Sequence, residues 1–110
     1  MIDWERVNTL RDEVGADDFD EVVDLFLEEV DEVIARLQTA PALQTLEEDL
    51  HFIKGCAMGL GFRSFSNLCQ EGESKSAQGH AAEVDLQAIL TNYAESKRLF
   101  QTEMPQALAG

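Results

Sequence analysis

His51 and Lys54 are the two residues whose types and spacing could carry out a group transfer. An imidazole Nε2 is a competent nucleophile near neutral pH, and a lysine one helical turn further on supplies a positive charge for a tetrahedral oxyanion. A phosphoryl group fits that pair. On a helix, the neighbours of His51 three, four, seven and eight positions later are Lys54, Gly55, Met58 and Gly59. Glycine inside a helix costs about 1 kcal/mol relative to alanine, so Gly55 and Gly59 together weaken this segment by about 2 kcal/mol. Such a conflict between local propensity and fold marks a place where a ligand or another backbone comes close. The residues alone leave two readings open: a cleared patch for phosphoryl handling, or a surface histidine over glycines that serve tight helix packing.

Other chemistries fail on inventory. The sequence has no Gly-rich phosphate loop ending in Lys and Ser or Thr, no dinucleotide fingerprint and no kinase catalytic loop. Cys56 and Cys69 fall on or beside apolar helix faces, which predicts buried thiols rather than nucleophiles. His80, beside Gly79, reads as a turn residue without a function. Glu48-Asp49-Leu50-His51 is a Glu-x-x-His element with Glu47 nearby, so a metal-binding bundle is one alternative, although it needs a second such element. A non-catalytic acidic interaction module is another.

Apolar residues recur at steps of three and four almost throughout the chain, which has two prolines in 110 residues. The pattern predicts an all-α fold. Asp3 caps a short first helix carrying Trp4, Val7 and Leu10 that ends near Gly15. Phe19, Val22, Val23, Phe26, Val30, Val33, Ile34 and Leu37 stripe a long second helix, with Asp17, Asp18 and Asp20 at its positive end. Pro41 is placed in the first turn of a third helix with core face Leu43, Leu46, Leu50, Ile53, Ala57 and Leu60, stopped by Gly61. A fourth helix is predicted from about Phe62 to Gly79, and a fifth through Leu86, Ile89, Leu90, Tyr93, Phe100 and Met104 until Pro105. The expected architecture is an up-down antiparallel four-helix bundle with an additional short N-terminal capping helix, one domain over residues 1–110 with its core at about 3–105.

The chain of 110 residues carries a formal charge of −14, which would repel a polyphosphate backbone or an anionic membrane surface. Neither nucleic acid nor membrane is an expected partner. With no run of 18 apolar residues, no signal-like N-terminus and only two cysteines, the expected location is the cytoplasm.

The string His51-Phe52-Ile53-Lys54-Gly55-Cys56-Ala57-Met58-Gly59-Leu60-Gly61-Phe62 resembles the signature of histidine-containing phosphotransfer (HPt) domains of multistep phosphorelays. Cys69 and Glu73 stand in the register of that family's fourth-helix Cys and the residue four positions later, and the helix order fits along the whole chain. The resemblance implies that His51 is phosphorylated, that Lys54 stabilises the phosphoryl oxygens and that Gly55 leaves room for the incoming partner. Some members place a Gln at the register of Glu73; a carboxylate there either accepts from the ring Nδ1–H or faces solvent. Gly72, where a bulky apolar residue is common, and Cys56, where a small residue is, depart from the pattern. Implied partners are response-regulator receiver domains and an upstream hybrid or sensor histidine kinase. No intrinsic cofactor is implied, Mg²⁺ belonging to the receiver, and the chain is a relay without kinase machinery. Docking is expected over Gly55 and Gly59, on the apolar residues Met58, Phe62 and Phe52, with Lys54 and Arg63 as a small cationic window.

Overall fold

The computed structural model describes residues 2–107, with side chains as far as Met104. Its helices are α1 (Trp4–Val14), α2 (Ala16–Thr39), α3 (Leu46–Leu60), α4 (Arg63–Ala77) and α5 (Leu86–Ala107). Helices α2 to α5 form the bundle, α2 and α4 each packing on α3 and α5, while α1 covers one end against α2 and α3. Two 3₁₀ turns, Leu43–Thr45 and Ala81–Glu83, lead into α3 and α5.

Local chemistry accounts for the ends of α1 and α3. The Asp3 carboxylate accepts from the Arg6 N–H at 3.3 Å, giving α1 its cap. Gly61 ends α3 in the left-handed conformation, at φ 77°, where a β-carbon would also sit 2.6 Å from the Asp3 carbonyl oxygen. That close approach is used: the Asp3 N–H donates to the Gly61 carbonyl at 2.7 Å, and Ile2 pairs with Phe62 as an isolated antiparallel bridge. The chain's start is thereby tied to the α3–α4 turn.

The core face of α2 is Phe19, Val23, Leu27, Val30, Val33, Ile34 and Leu37. Leu27, absent from the predicted stripe, is buried, whereas Val22 and Phe26 are half-buried at its margin. Steps of three and four from Phe19 pass through position 27, so the helical period itself carries the correction. Two predicted boundaries also move. Pro41 and Leu43 lie outside α3, and Leu43 is exposed, because the residues before Leu46 form a 3₁₀ turn. Helix α5 does not stop at Pro105 but continues to Ala107; a proline removes its own N–H donor without forbidding helix after it.

One end of the core is aromatic. Trp4 stacks on Phe100 with ring centroids 5.7 Å apart, Phe62 lies 5.3 Å from Phe100, and Phe65 lies 5.0 Å from Tyr93. Polar side chains fasten helix pairs at the boundary. The Arg36 guanidinium donates bidentately to Asp49 at 2.8 and 3.0 Å across α2 and α3. Asp31 accepts from the Tyr93 hydroxyl at 2.6 Å and from Lys97 at 2.8 Å across α2 and α5.

Candidate functional site

Leu50, Ile53, Ala57 and Leu60 bury the core face of α3, which turns His51 outward: its side chain is 69% exposed. Gly61 then reverses the chain, and α4 returns antiparallel beside α3. Residues about as far past Gly61 as His51 lies before it come level with the ring. These are Gln70 and Glu73.

His51 Nδ1 lies 2.8 Å from Glu73 Oε1. Lys54 Nζ lies 2.7 Å from Glu73 Oε2 and 2.8 Å from Gln70 Oε1. The Lys54 ammonium holds the Glu73 carboxyl below the usual carboxylate range, and His51 acts in the same direction, against the opposing effect of burial. Glu73 is therefore ionised and can only accept. A nitrogen 2.8 Å from it must carry a proton, so Nδ1 is the protonated nitrogen and, in the neutral ring, Nε2 is the one that presents a lone pair to solvent. Glu73 Oε2 is buried and has no hydrogen-bond partner among the described residues, so its contact is the ion pair with Lys54.

The glycines of the predicted clearing part company. At Gly55 a β-carbon would meet nothing within 4 Å, leaving open space beside the imidazole. At Gly59 it would touch the Phe26 ring of α2 at 3.6 Å. Four residues rotate a side chain by about 40° from His51 and eight by about 80°, enough to turn Gly59 toward α2 and out of the patch.

The expected docking residues divide as well. Met58 is 58% exposed and Phe52 46% exposed. Phe62 is 1% exposed, its ring packed against Phe100 and Tyr93 and its backbone bridged to Ile2, so it is core and not docking surface. Its position as the residue before α4 hid this, because periodicity does not extend through a turn. Arg63 points to solvent but pairs with Asp3 at 3.2 Å, at the far end of α3 about 14 Å along the axis from His51. The cationic window expected from Lys54 and Arg63 is thus not one patch: Lys54 is spent on Glu73 and Gln70, and Arg63 on the N-terminal cap.

Gln70 was invisible to a reading centred on α3. The helical-neighbour rule used around His51, applied around Glu73, would have returned it as the residue three positions earlier. Asp49 and Glu48 do not join the imidazole: Asp49 is engaged by Arg36, and Glu48 is exposed. Among the described residues no group of three His, Cys, Asp or Glu stands close enough to hold a metal ion, and no helix is long and apolar enough to cross a membrane.

The described helices form a bundle that displays one imidazole nitrogen on an open surface, with the other 2.8 Å from a carboxylate. The chain belongs to the Hpt domain family, whose family model matches residues 21–109. That membership implies phosphotransfer in phosphorelays, with receiver domains and kinases as the interacting partners and no kinase machinery within the domain itself. No curated protein and no solved structure matches the chain significantly.

Proposed function

We propose that this protein relays a phosphoryl group between aspartyl-phosphate receiver domains through a phosphohistidine on His51 Nε2. The observation that carries the reading is the exposed ring whose Nδ1 is 2.8 Å from an ionised Glu73, with Lys54 on the same carboxylate. In the accepting step the Nε2 lone pair forms the N–P bond while the P–O bond to the receiver's aspartate breaks, the electron pair returning to that carboxylate. No proton needs to move. The ring becomes cationic as it accepts, and Glu73 faces the developing charge through the Nδ1–H. In the donating step a second receiver's aspartate attacks phosphorus, and the imidazole leaves neutral because Nδ1 keeps its proton.

Lys54 lies one turn from the ring and supplies positive charge toward the phosphoryl oxygens, while the open space over Gly55 admits the partner's backbone. The exposed Met58 and Phe52 flank the ring as apolar docking contacts. Mg²⁺ enters with the receiver's acidic pocket; among the described residues the carboxylate touching His51 is Glu73, already engaged by Lys54. The relay operates in the cytoplasm, a location supported by two free, buried thiols.

The test is to incubate the protein with a phosphorylated receiver and follow the label. Wild type acquires an acid-labile, base-stable phosphoryl group and passes it to a second receiver, and H51Q does neither. Transfer that survives in H51Q would sink the assignment.

A further inference from the structure

We propose that Gln70, itself oriented by Ser74, is a positioning residue for phosphoryl transfer at His51: it aims the Lys54 ammonium so that one N–H stays available to a phosphoryl oxygen. The inference rests on the phosphohistidine reading above and assigns a task to a residue that reading does not use.

An ammonium has three N–H donors and no acceptor. Among the described residues, the polar partners of Lys54 are Gln70 Oε1 at 2.8 Å and Glu73 Oε2 at 2.7 Å. One donor is left. With Glu73 as its only partner, the flexible lysine stem could swing about that single oxygen, and the third N–H would have no fixed direction. Two acceptors on successive turns of α4 define one. Gln70 is uncharged, so it directs the ammonium without cancelling the charge, which a second carboxylate at position 70 would do.

The amide has the orientation this task needs. Gln70 Nε2 donates to Ser74 Oγ at 3.2 Å, one turn along α4, which leaves Oε1 facing Lys54. The reversed amide would point its NH₂ at the ammonium and leave Ser74 without that donor. Ser74, Gln70 and Lys54 therefore form a short polar chain reaching from the solvent face of α4 to the side of the imidazole.

The experiment labels the full chain with phosphoramidate, a small donor that needs no docking surface. Nε2 forms its bond to phosphorus as the P–N bond breaks and ammonia leaves with the electron pair. Wild type, Q70M, S74A, K54M and K54M/Q70M are compared. Q70M keeps the side-chain length but has no acceptor, and is expected to lower kcat/KM about three- to tenfold, the range of one modest hydrogen bond. S74A should fall between Q70M and wild type, and provides the test should Q70M not fold. In the K54M background Q70M should have no further effect, because Gln70 acts only through Lys54. A ¹⁵N-resolved Lys54 ammonium resonance, narrow in wild type, should broaden in Q70M, a signature that a purely structural role would not produce. Q70M labelling like wild type, or losing the same factor with and without Lys54, would overturn this inference while leaving the relay intact. Wild type that accepts no phosphoryl group at all, from phosphoramidate or from a receiver, overturns the relay reading and this one with it.

Discussion

At the scale of single residues, the site depends on a glycine with empty space above it and a carboxylate that stays ionised to lower pH than an ordinary glutamate. Gly55 lies in an exposed helix interior with nothing within 4 Å of its missing β-carbon, so its cost of about 1 kcal/mol is not recovered by packing within this chain. G55A should therefore raise the melting temperature by a few degrees in a circular dichroism melt. It should leave labelling by phosphoramidate unchanged but slow transfer from a receiver, whose backbone has to come close. An unchanged receiver rate would mean the space serves no partner. Glu73 supplies the second residue-scale prediction. Its folded pKa lies below its unfolded value, so its ionisation contributes stability that is complete above about pH 4.3 and is lost as pH falls through the lower folded value. In urea titrations, the advantage of wild type over E73Q should be constant at neutral pH and shrink on acidification. A difference independent of pH would show that the carboxylate charge is not what binds Lys54 and His51.

At the scale of elements, the α3–α4 hairpin determines which residues meet, and Gly72 sets its closeness. A β-carbon there would fall 2.7 Å from Leu50 Cδ1, 3.1 Å from Val84 Cγ1 and 3.4 Å from Ile89 Cδ1, three side chains of which Leu50 and Ile89 are fully packed. The departure from a bulky residue at this position is thus compensated by Leu50 and Val84, which occupy the volume from the other side. G72A gains helix propensity but overpacks the seam, and the second effect is the larger, at about 1–3 kcal/mol against about 1 kcal/mol. The expected outcome is a lower melting temperature together with an altered His51–Glu73 contact, read as a shift of the His51 ring ¹⁵N resonances. A stabilised G72A with unchanged His51 resonances would contradict the packing argument. Phe62 belongs to this scale too: as the residue where α3 turns into α4 it anchors the hairpin to Ile2, just before α1, and to α5, which is why it is core.

At the scale of the whole molecule, the formal charge is −14, and the carboxylates of buried Asp49 and partly buried Glu73 are each paired with a cation, Arg36 and Lys54. Burial pushes the Cys69 thiol up to about 12, with Glu73 adding to the shift and Lys54 opposing it, and burial likewise raises Cys56. A raised thiol pKa contributes stability that is present below the ordinary thiol range and is lost as pH climbs toward the folded value. In a C56A background, Cys69 should resist a thiol-directed reagent at pH 8 and react at the rate of global unfolding as urea is added. Rapid labelling of the native protein would show that this seam opens locally. The acidic surface also changes how a partner must be drawn in. Lys54 and Arg63 are both paired, and the exposed large apolar side chains of α3 are Met58 and Phe52.

The amino-acid sequence by itself determined what lies along each helix. The phase of apolar residues turned His51 outward, put Lys54 and Gly55 beside it, and set the cap of α1 at Asp3 and the stop of α3 at Gly61. These are neighbours within one helix, and a period of 3.6 residues places them whatever the rest of the chain does. Tertiary structure alone decided the relations between helices: that Glu73 reaches the ring, that Gln70 shares Lys54, that Gly59 faces Phe26, and that Arg63 is taken by Asp3. Such pairs depend on the reversal at Gly61 and on how closely two helices approach across Gly72. Those distances come from the packing of side chains on several elements at once, and no single stretch of sequence contains them.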